Sequence, residues 1–523
     1  MPQFRSALEQ VRRQHPSADV WALTHEDFSD QVLATGVDQV VTHRATRLGA
    51  ARLGLRLLMR LRRLDFDVVV IPLMSAQLGP AANLMRLAAC LGAPTVSLHV
   101  GGAPMRTNPL RIFRRLAVAA TLNCRDIVIL GQMLRAAVRH RPAGEPRLTG
   151  APMRVLHIIN SLGVGGAQTQ CAELVNCTPR GQFDIDVLVL ANDSDFSLNR
   201  LRRSDVSIAY LESDWHSGTI VDSIAEHCRR GRYDVVHTWL PMANMVGTAA
   251  ARLAGVPRIL ASVRSVNPGN FPQWRQWWHR IGDVLAARIA DVVTVNAQPL
   301  VKDHAGWALM NPRRVQVVHN GIDPSFIQED LAAARTWLRQ SLAIAADTPL
   351  IGCVGRLAIE KDQATLVRAL ALLRDDRVRF HAVLVGDGAC EAALRALVVD
   401  LGLGDCISFL GARTDARRIM AGLDVLALTS RFEGFPNVLL EAGLLGVPVV
   451  STDAGGVIDV LADAEGLCPC GDARAVAKAL SSTIRHPERT AARAVRLKAR
   501  CHEHFTADRM VAKWMALYQH GAA

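Results

Sequence analysis

The stretch EGFPNVLLEAGLLGVPVVSTDAGG, residues 433–456, is small or apolar almost throughout, yet it carries Glu433 and Glu441. Taking a carboxylate out of water is costly unless hydrogen bonds or a counter-charge replace its hydration. The two glutamates therefore call for partners: hydroxyls or cations of a ligand, or an arginine of the chain itself. The local pattern places them. LDVLALTS (423–430) reads as a buried strand, Gly434 and Pro436 mark a turn, a helix starts at Asn437, and VPVVST (447–452) is the next strand. That is the βαβ unit of a parallel sheet, where ligands collect at the strands' carboxyl ends and a helix N-terminus attracts anions. Glu433 falls in the turn and Glu441 one turn into the helix.

Other groups with chemical potential occupy equivalent positions. GRLAIEK (355–361) follows a buried strand and sets Arg356 and Lys361 where they can clamp a diphosphate, the arginine by its planar fork and the lysine as a point charge. Surface pairing of Lys361 with Glu360 or Asp362 is the plainer alternative. GVGGA (163–167) lies between a strand and a helix and offers backbone amides to a phosphate. Gln168 stands where a GxGxxG fingerprint requires glycine, which disfavours a nicotinamide or flavin site; a tight turn alone would also explain the glycines. His237 in DVVHTWLPMAN and Arg264 in ASVRSVN each end an apolar strand, a placement suited to catalysis, although a lone histidine serves as readily as a structural hydrogen-bonder. NDSD (192–195) could form a DxD metal loop, but nothing around it reads as a metal or nucleotide site.

The elements that must position these groups form two repeats of strand and helix. The chain has 523 residues, half of them hydrophobic, enough for two or three domains with cores of their own. Its eleven cysteines include no CxxC pair, which suits reduced thiols in a cytoplasm and argues against a metal site built from them. MPQFRSALEQVRRQHP lacks the apolar core of a secretory signal, and uncharged residues 68–85 contain Pro72, Gly79 and Pro80, so they read as a strand and a helix start, not a membrane span. RHRPAGEPRLTGAP (139–152) reads as a linker. Before it, VWALTH, DQVVTH, FDVVVIPL, TVSLHV and DIVIL make residues 1–150 an α/β region that holds +10 of the formal +12 charge. Its clusters RLGLRLLMRLRR (52–63) and RIFRRLAVAA (111–120) could serve an anionic membrane surface or an acidic partner, or simply be helices with one solvated basic face. Nucleic acid is disfavoured, because no aromatic platform is interleaved with the charge. After the linker, one set of strands starts at Met153 and a second at Pro349, implying two doubly wound domains facing a cleft, 153–335 and 336–505. Thr506 caps a last helix (506–523) that sets Val511, Trp514 and Leu517 or Tyr518 on one stripe, to pack on the earlier domain.

In order and spacing, MRVLHIINSLGVGGA, VVHNGID, GRLAIEK, VGDG, EGFPNVLLEA and PVVSTDAGG resemble the family-4 retaining glycosyltransferases of the GT-B fold, over residues 153–520. The resemblance implies a metal-independent, cofactor-free transfer of a sugar from a UDP- or GDP-linked donor to a glycan or lipid-linked acceptor in surface polysaccharide or lipopolysaccharide synthesis. It implies that Glu433 contacts the donor sugar and Glu441 the ribose. Arg356 and Lys361 would hold the diphosphate, Pro436, Asn437, Val438 and Leu439 would lie near sugar and phosphate, and the Gly165/Gly166 loop would close from the other domain. His237, Arg264 and Glu433 are the catalytic candidates. Three departures stand out: Asp459 replaces a glutamate in GGVID, Trp239 stands where many members have histidine, and GGAQ replaces GGAE. They keep open a nucleotide-sugar epimerase or hydrolase of the same fold, or a non-catalytic binding subunit. The start of residues 1–150 is faintly similar to the opening half-domain of heptosyltransferase-like enzymes without their donor motifs, which implies a non-catalytic appendage; its basic charge, separately, predicts a cytoplasmic protein peripheral on the inner face of the cytoplasmic membrane.

Overall fold

A computed structural model describes five strands within residues 1–125, then residues 128–138, and then 151–520 apart from 164, 192–200, 202, 212–218, 267–276, 328 and 463–464. The arginine-rich clusters 52–63 and 111–120 and the NDSD loop lie outside the described residues. The chain divides into two compact units, Met1–Arg125 and Asp126–Ala523. In the first, β1 (Trp21–His25) and β2 (Gln39–His43) pair in parallel. β3 (Val68–Leu73) and β4 (Thr95–Val100) also pair in parallel, and β5 (Ala103–Thr107) runs antiparallel to β4.

DIVIL contributes to a helix, 128–138, not to a strand. Ile129, Met133 and Ala136 recur at helical spacing and are buried, in one cluster with Ile220, Val221 and Val246 of the second unit. The second unit therefore starts before the Pro/Gly segment 139–152.

The second unit holds two all-parallel sheets. The first comprises β6 (Met153–Ile159), β7 (Phe183–Val189), β8 (Ser207–Tyr210), β9 (Val235–Trp239), β10 (Arg258–Val263), β11 (Val292–Val295) and β12 (Val315–Val317), in the order β12-β11-β10-β9-β6-β7-β8. The second comprises β13 (Leu350–Val354), β14 (His381–Val385), β15 (Ile407–Gly411), β16 (Val425–Leu428), β17 (Val449–Thr452) and β18 (Leu467–Cys468), in the order β15-β14-β13-β16-β17-β18. Strands buried on both faces read as continuous apolar runs, which is how β13 and β16 appear in the sequence. In each sheet the strand order reverses once, between β6 and β9 and between β13 and β16. Such a reversal leaves a crevice at the carboxyl ends, since the following helices leave to opposite faces.

Each sheet has apolar layers on both faces. One layer runs across both halves, joining Val295, Ala297 and Leu300 to Leu426, Phe435 and Val457. The chain crosses between the halves twice. At the crossing Ile322 N donates to Phe505 O (3.0 Å) and Ala507 N to Ile322 O (3.0 Å). The helix Ala507–His520 then returns to the first sheet, burying Met510, Val511, Trp514, Leu517 and Tyr518 among Val155, Phe183 and Trp239. Among the described residues no helix is long and apolar enough to cross a membrane.

Candidate functional site

Loops at the carboxyl ends of the strands carry most of the residues singled out above: the glycine loop follows β6, Arg264 follows β10, Arg356 and Lys361 follow β13, and Glu433 follows β16, while His237 lies within β9. After β16, Glu433 is only 7% exposed. It accepts a hydrogen bond from Ser430 Oγ (2.6 Å) and one from Lys361 Nζ (2.6 Å), so folding joins a carboxylate and a cation 72 positions apart. Lys361 ends a short turn, Ile359–Lys361, whose approach is braced by the 385–388 loop: Leu357 N donates to Asp387 O at 2.7 Å. Gly388 lies at φ 149°, and a Cβ there would sit 2.4 Å from Leu357 O, which accounts for the second glycine of VGDG. Arg356, by contrast, is well exposed and pairs with Glu360 at 2.7 Å. Glu441 lies 3.5 Å from Arg417 Nε, the pairing with an arginine of the chain that its sequence context allowed.

The turn Gly434–Pro436 is gripped by backbone on two sides. A Cβ on Gly434 would lie 2.4 Å from Arg264 O, and one on Gly456 would lie 2.0 Å from Gly434 O. The helix Asn437–Leu445 that follows has no side-chain cap on its N-terminus, and Leu439 N already donates to Pro436 O (3.1 Å). Leu439 therefore offers no free amide, which leaves the first-turn amides of Asn437 and Val438 to face a ligand. The Asn437 side chain is also engaged. Its Oδ1 accepts from Asn320 Nδ2 (2.6 Å) and Gln170 Nε2 (3.3 Å), and its Nδ2 donates to Gly166 O (3.2 Å).

Those bonds belong to a polar seam between the two halves. Gln170 is fully buried and both donates to Gly321 O and accepts from Gly321 N, each at 3.0 Å. Asn320 Nδ2 also donates to Phe435 O (2.9 Å), and its Oδ1 accepts from Arg264 Nη2. Asp459 accepts from Gln298 N (2.6 Å) and faces His319 Nε2 at 3.2 Å. Its replacement of glutamate thus retains a carboxylate that spans the crevice. Gln170, Asn320 and Asp459 as seam residues escaped the sequence reading, because a polar residue inside an apolar run gives no sign of which distant group it meets.

The structure places His237, one of the catalytic candidates, in the core of the first half. It is wholly buried, with Nδ1 2.7 Å from Tyr518 Oη and Nε2 2.6 Å from Ser262 Oγ. Both ring nitrogens are used and burial holds the imidazole neutral, its pKa well below the ordinary value. Trp239 lies in the same core, donating from Nε1 to His157 Nδ1 at 3.0 Å. Its indole carries the Arg264 guanidinium, 5.0 Å from the ring centroid. Arg264 is buried and has no carboxylate partner among the described residues, and that burial pulls its pKa down to about 9. Its Nε and Nη1 are buried without a hydrogen-bond partner, so its charge is presented beside the 433–437 turn with little to neutralise it.

The arrangement can bind a polyanion and a polyol together: Lys361, the uncapped helix start and the Arg264 charge favour phosphate, while Glu433 and Glu441 can accept hydroxyl protons. Residues 164–326 match the family model described as Glycosyltransferase Family 4, and residues 348–486 match Glycosyl transferases group 1. EpsF of Bacillus subtilis is 28% identical over 320 residues, 59% of this chain and 81% of EpsF. The Vi polysaccharide biosynthesis protein VipC/TviE of Salmonella typhi is 29% identical over 45% of this chain and 41% of its own length. A D-inositol 3-phosphate glycosyltransferase of Mycolicibacterium vanbaalenii is 32% identical over 43% of this chain and 54% of its own. The chain thus spans about half the length of several curated relatives. Among solved structures, Anabaena HepE in complex with UDP and glucose superimposes with a TM-score of 0.62 at 24% identity, covering 70% of this chain and all of HepE.

Proposed function

We propose, for a chain that over residues 164–326 and 348–486 belongs to the family-4 glycosyltransferases of the GT-B fold, that it moves a sugar from a nucleotide-diphosphate donor to a glycan or lipid-linked acceptor in polysaccharide synthesis. The observation that carries the reading is the buried Glu433 with Lys361 at 2.6 Å, at the strand-order reversal of the second half and facing the first. A donor would divide this pair: diphosphate to Lys361 and to Arg356 released from Glu360, sugar hydroxyls to Glu433, ribose hydroxyls to Glu441. Charge growing on the leaving diphosphate would be stabilised by these cations and the helix start, a preorganised field that acts without a metal ion. Retention of configuration, with attack on the face the diphosphate leaves and the phosphate taking the acceptor proton, is part of the proposal. HepE's complexes with UDP and with UDP-glucose favour UDP over GDP as the carrier. A cytoplasmic location, with residues 1–150 lying on an anionic membrane, completes it.

The test is a metal-free thermal-shift titration with UDP, GDP and ADP and their sugar conjugates, followed by product analysis. Stabilisation by one nucleotide, lost in Glu441→Ala, with transfer abolished in Glu433→Gln, is the expected result. Donor cleavage without transfer to any acceptor would favour a hydrolase, and binding without turnover a binding subunit.

A further inference from the structure

At the amino end of β17, the end of the strand away from the carboxyl ends that face the donor crevice, a cavity of about 340 Å³ opens between the helix Pro487–His504 and the end of the helix Val457–Leu461. Arg493, Arg496 and Arg500 line it, at i, i+3 and i+7 of one helix and so on one face. Two of the three are held in place by the main chain. Arg493 Nη2 donates to Glu465 O (2.7 Å) and Val449 O (3.2 Å), and Arg500 donates through Nε to Val460 O (3.0 Å) and through Nη2 to Asp459 O (2.8 Å). Among the described residues no carboxylate is paired with them, and Glu465, the acid among the described lining residues, is bound by Arg489 at 2.6 Å. Guanidinium groups fixed by backbone carbonyls lose little further freedom on meeting an anion, and their remaining N–H groups suit the oxygens of a phosphate. The rest of the wall is apolar, formed by Pro448, Val449, Leu461, Ala494 and Leu497.

We propose that this cavity is a second ligand site, for a phosphate monoester with an apolar body, separate from the donor crevice. The phosphate sits among Arg493, Arg496 and Arg500 and the apolar body lies on Val449, Leu461 and Leu497. The cavity is too large for phosphate alone, and its mixed wall matches neither a bare anion nor a neutral hydrocarbon. Such a ligand could be a small soluble ester or the head of a lipid phosphate, which present the same chemistry here.

Isothermal titration of the full chain with hexyl phosphate, inorganic phosphate and hexanol tests the site. One equivalent of hexyl phosphate is expected to bind at least tenfold more tightly than inorganic phosphate, with no heat from hexanol. Arg496→Glu should abolish this binding; Arg496 is exposed and bonds no other group among the described residues, so the variant should fold. Lys361→Ala should leave it intact, which separates this site from the donor crevice whether or not the chain uses a nucleotide sugar. Vesicles containing phosphatidic acid supply the lipid source: capture lost in Arg496→Glu assigns the cavity to the lipid form, and hexyl phosphate binding without capture assigns it to a soluble ester. Equal affinity for phosphate and hexyl phosphate, binding unaffected by Arg496→Glu, or binding lost with Lys361→Ala would each overturn the proposal.

Discussion

Lys361 and Glu433 illustrate how one contact serves folding and function in opposite ways. With the crevice empty each neutralises the other, and the charge on Glu433 stays tolerable only because Lys361 and Ser430 both bind its Oε1. Lys361→Ala is therefore expected to destabilise the unliganded protein by on the order of 1–3 kcal/mol, given that Lys361 is partly exposed, and so to lower its melting temperature, and to weaken nucleotide binding more than tenfold. A single thermal-shift series with and without UDP reads both effects. The buried ionisable groups predict a pH response of two signs. Burial depresses His157 to about 3 and His304 to about 4, so the stability they contribute is present above pH 6.5 and is lost as pH falls toward those values. Asp283 is raised by burial to about 6 from 3.8, and its contribution is present below pH 3.8 and lost as pH rises through 6. Asp283→Asn retains an oxygen for Trp307 Nε1, which binds Asp283 at 2.7 Å. It should stabilise the protein at pH 7 by at most on the order of 3 kcal/mol, raising the melting temperature, and leave stability unchanged at pH 3.5. Denaturation curves at the two pH values check this.

At the scale of elements, the seam through Gln170, Asn320 and Asn437 ties a helix of the first half, the crossing strand of chain and the donor-side helix into one unit. Asn437→Ala removes three side-chain hydrogen bonds and leaves Gln170 and Asn320 each one buried amide bond short, while their bonds to Gly321, Phe435 and Arg264 remain. We expect a loss of about 1–3 kcal/mol and a fall in kcat, with nucleotide affinity changed less, since the first-turn amides remain. Comparing kcat with the UDP dissociation constant separates that outcome from a simple loss of the donor site. The final helix is bound more firmly. Trp514 is fully buried against His237, 4.2 Å between ring centroids, and its Nε1 has no hydrogen-bond partner. Trp514→Ala should cost roughly 3–5 kcal/mol, while Trp514→Phe, which gives up no hydrogen bond, should cost much less. Urea denaturation measures both.

At the scale of the molecule, the second unit is two parallel sheets sharing one apolar layer at the crossing, with the crevice where both strand orders reverse. That shared layer and the polar seam make closure of the crevice a packing state of the whole unit, since neither half can move without exposing apolar surface around Phe435 and Ala297.

Strand runs such as LDVLALTS and FHAVLVGDG declare themselves in sequence because strands buried on both faces must be apolar throughout, and their loops must carry the polar residues left over. Hence the βαβ repeat, the placement of Glu433, Lys361 and Arg264 at strand ends, and the stripe of the final helix were legible before any coordinates. What the stripe covers was not: Tyr518 Oη reaches His237 across 281 positions and turns a strand-end histidine into a core residue. DIVIL likewise entered a helix because its apolar residues continue at Met133 and Ala136, a longer period that the short run concealed. Position along a strand follows from local sequence, since each residue's period and neighbours determine it. Whether a polar group at a strand end faces solvent, a ligand or another side chain depends on which distant element packs over it, and only the tertiary structure decides that.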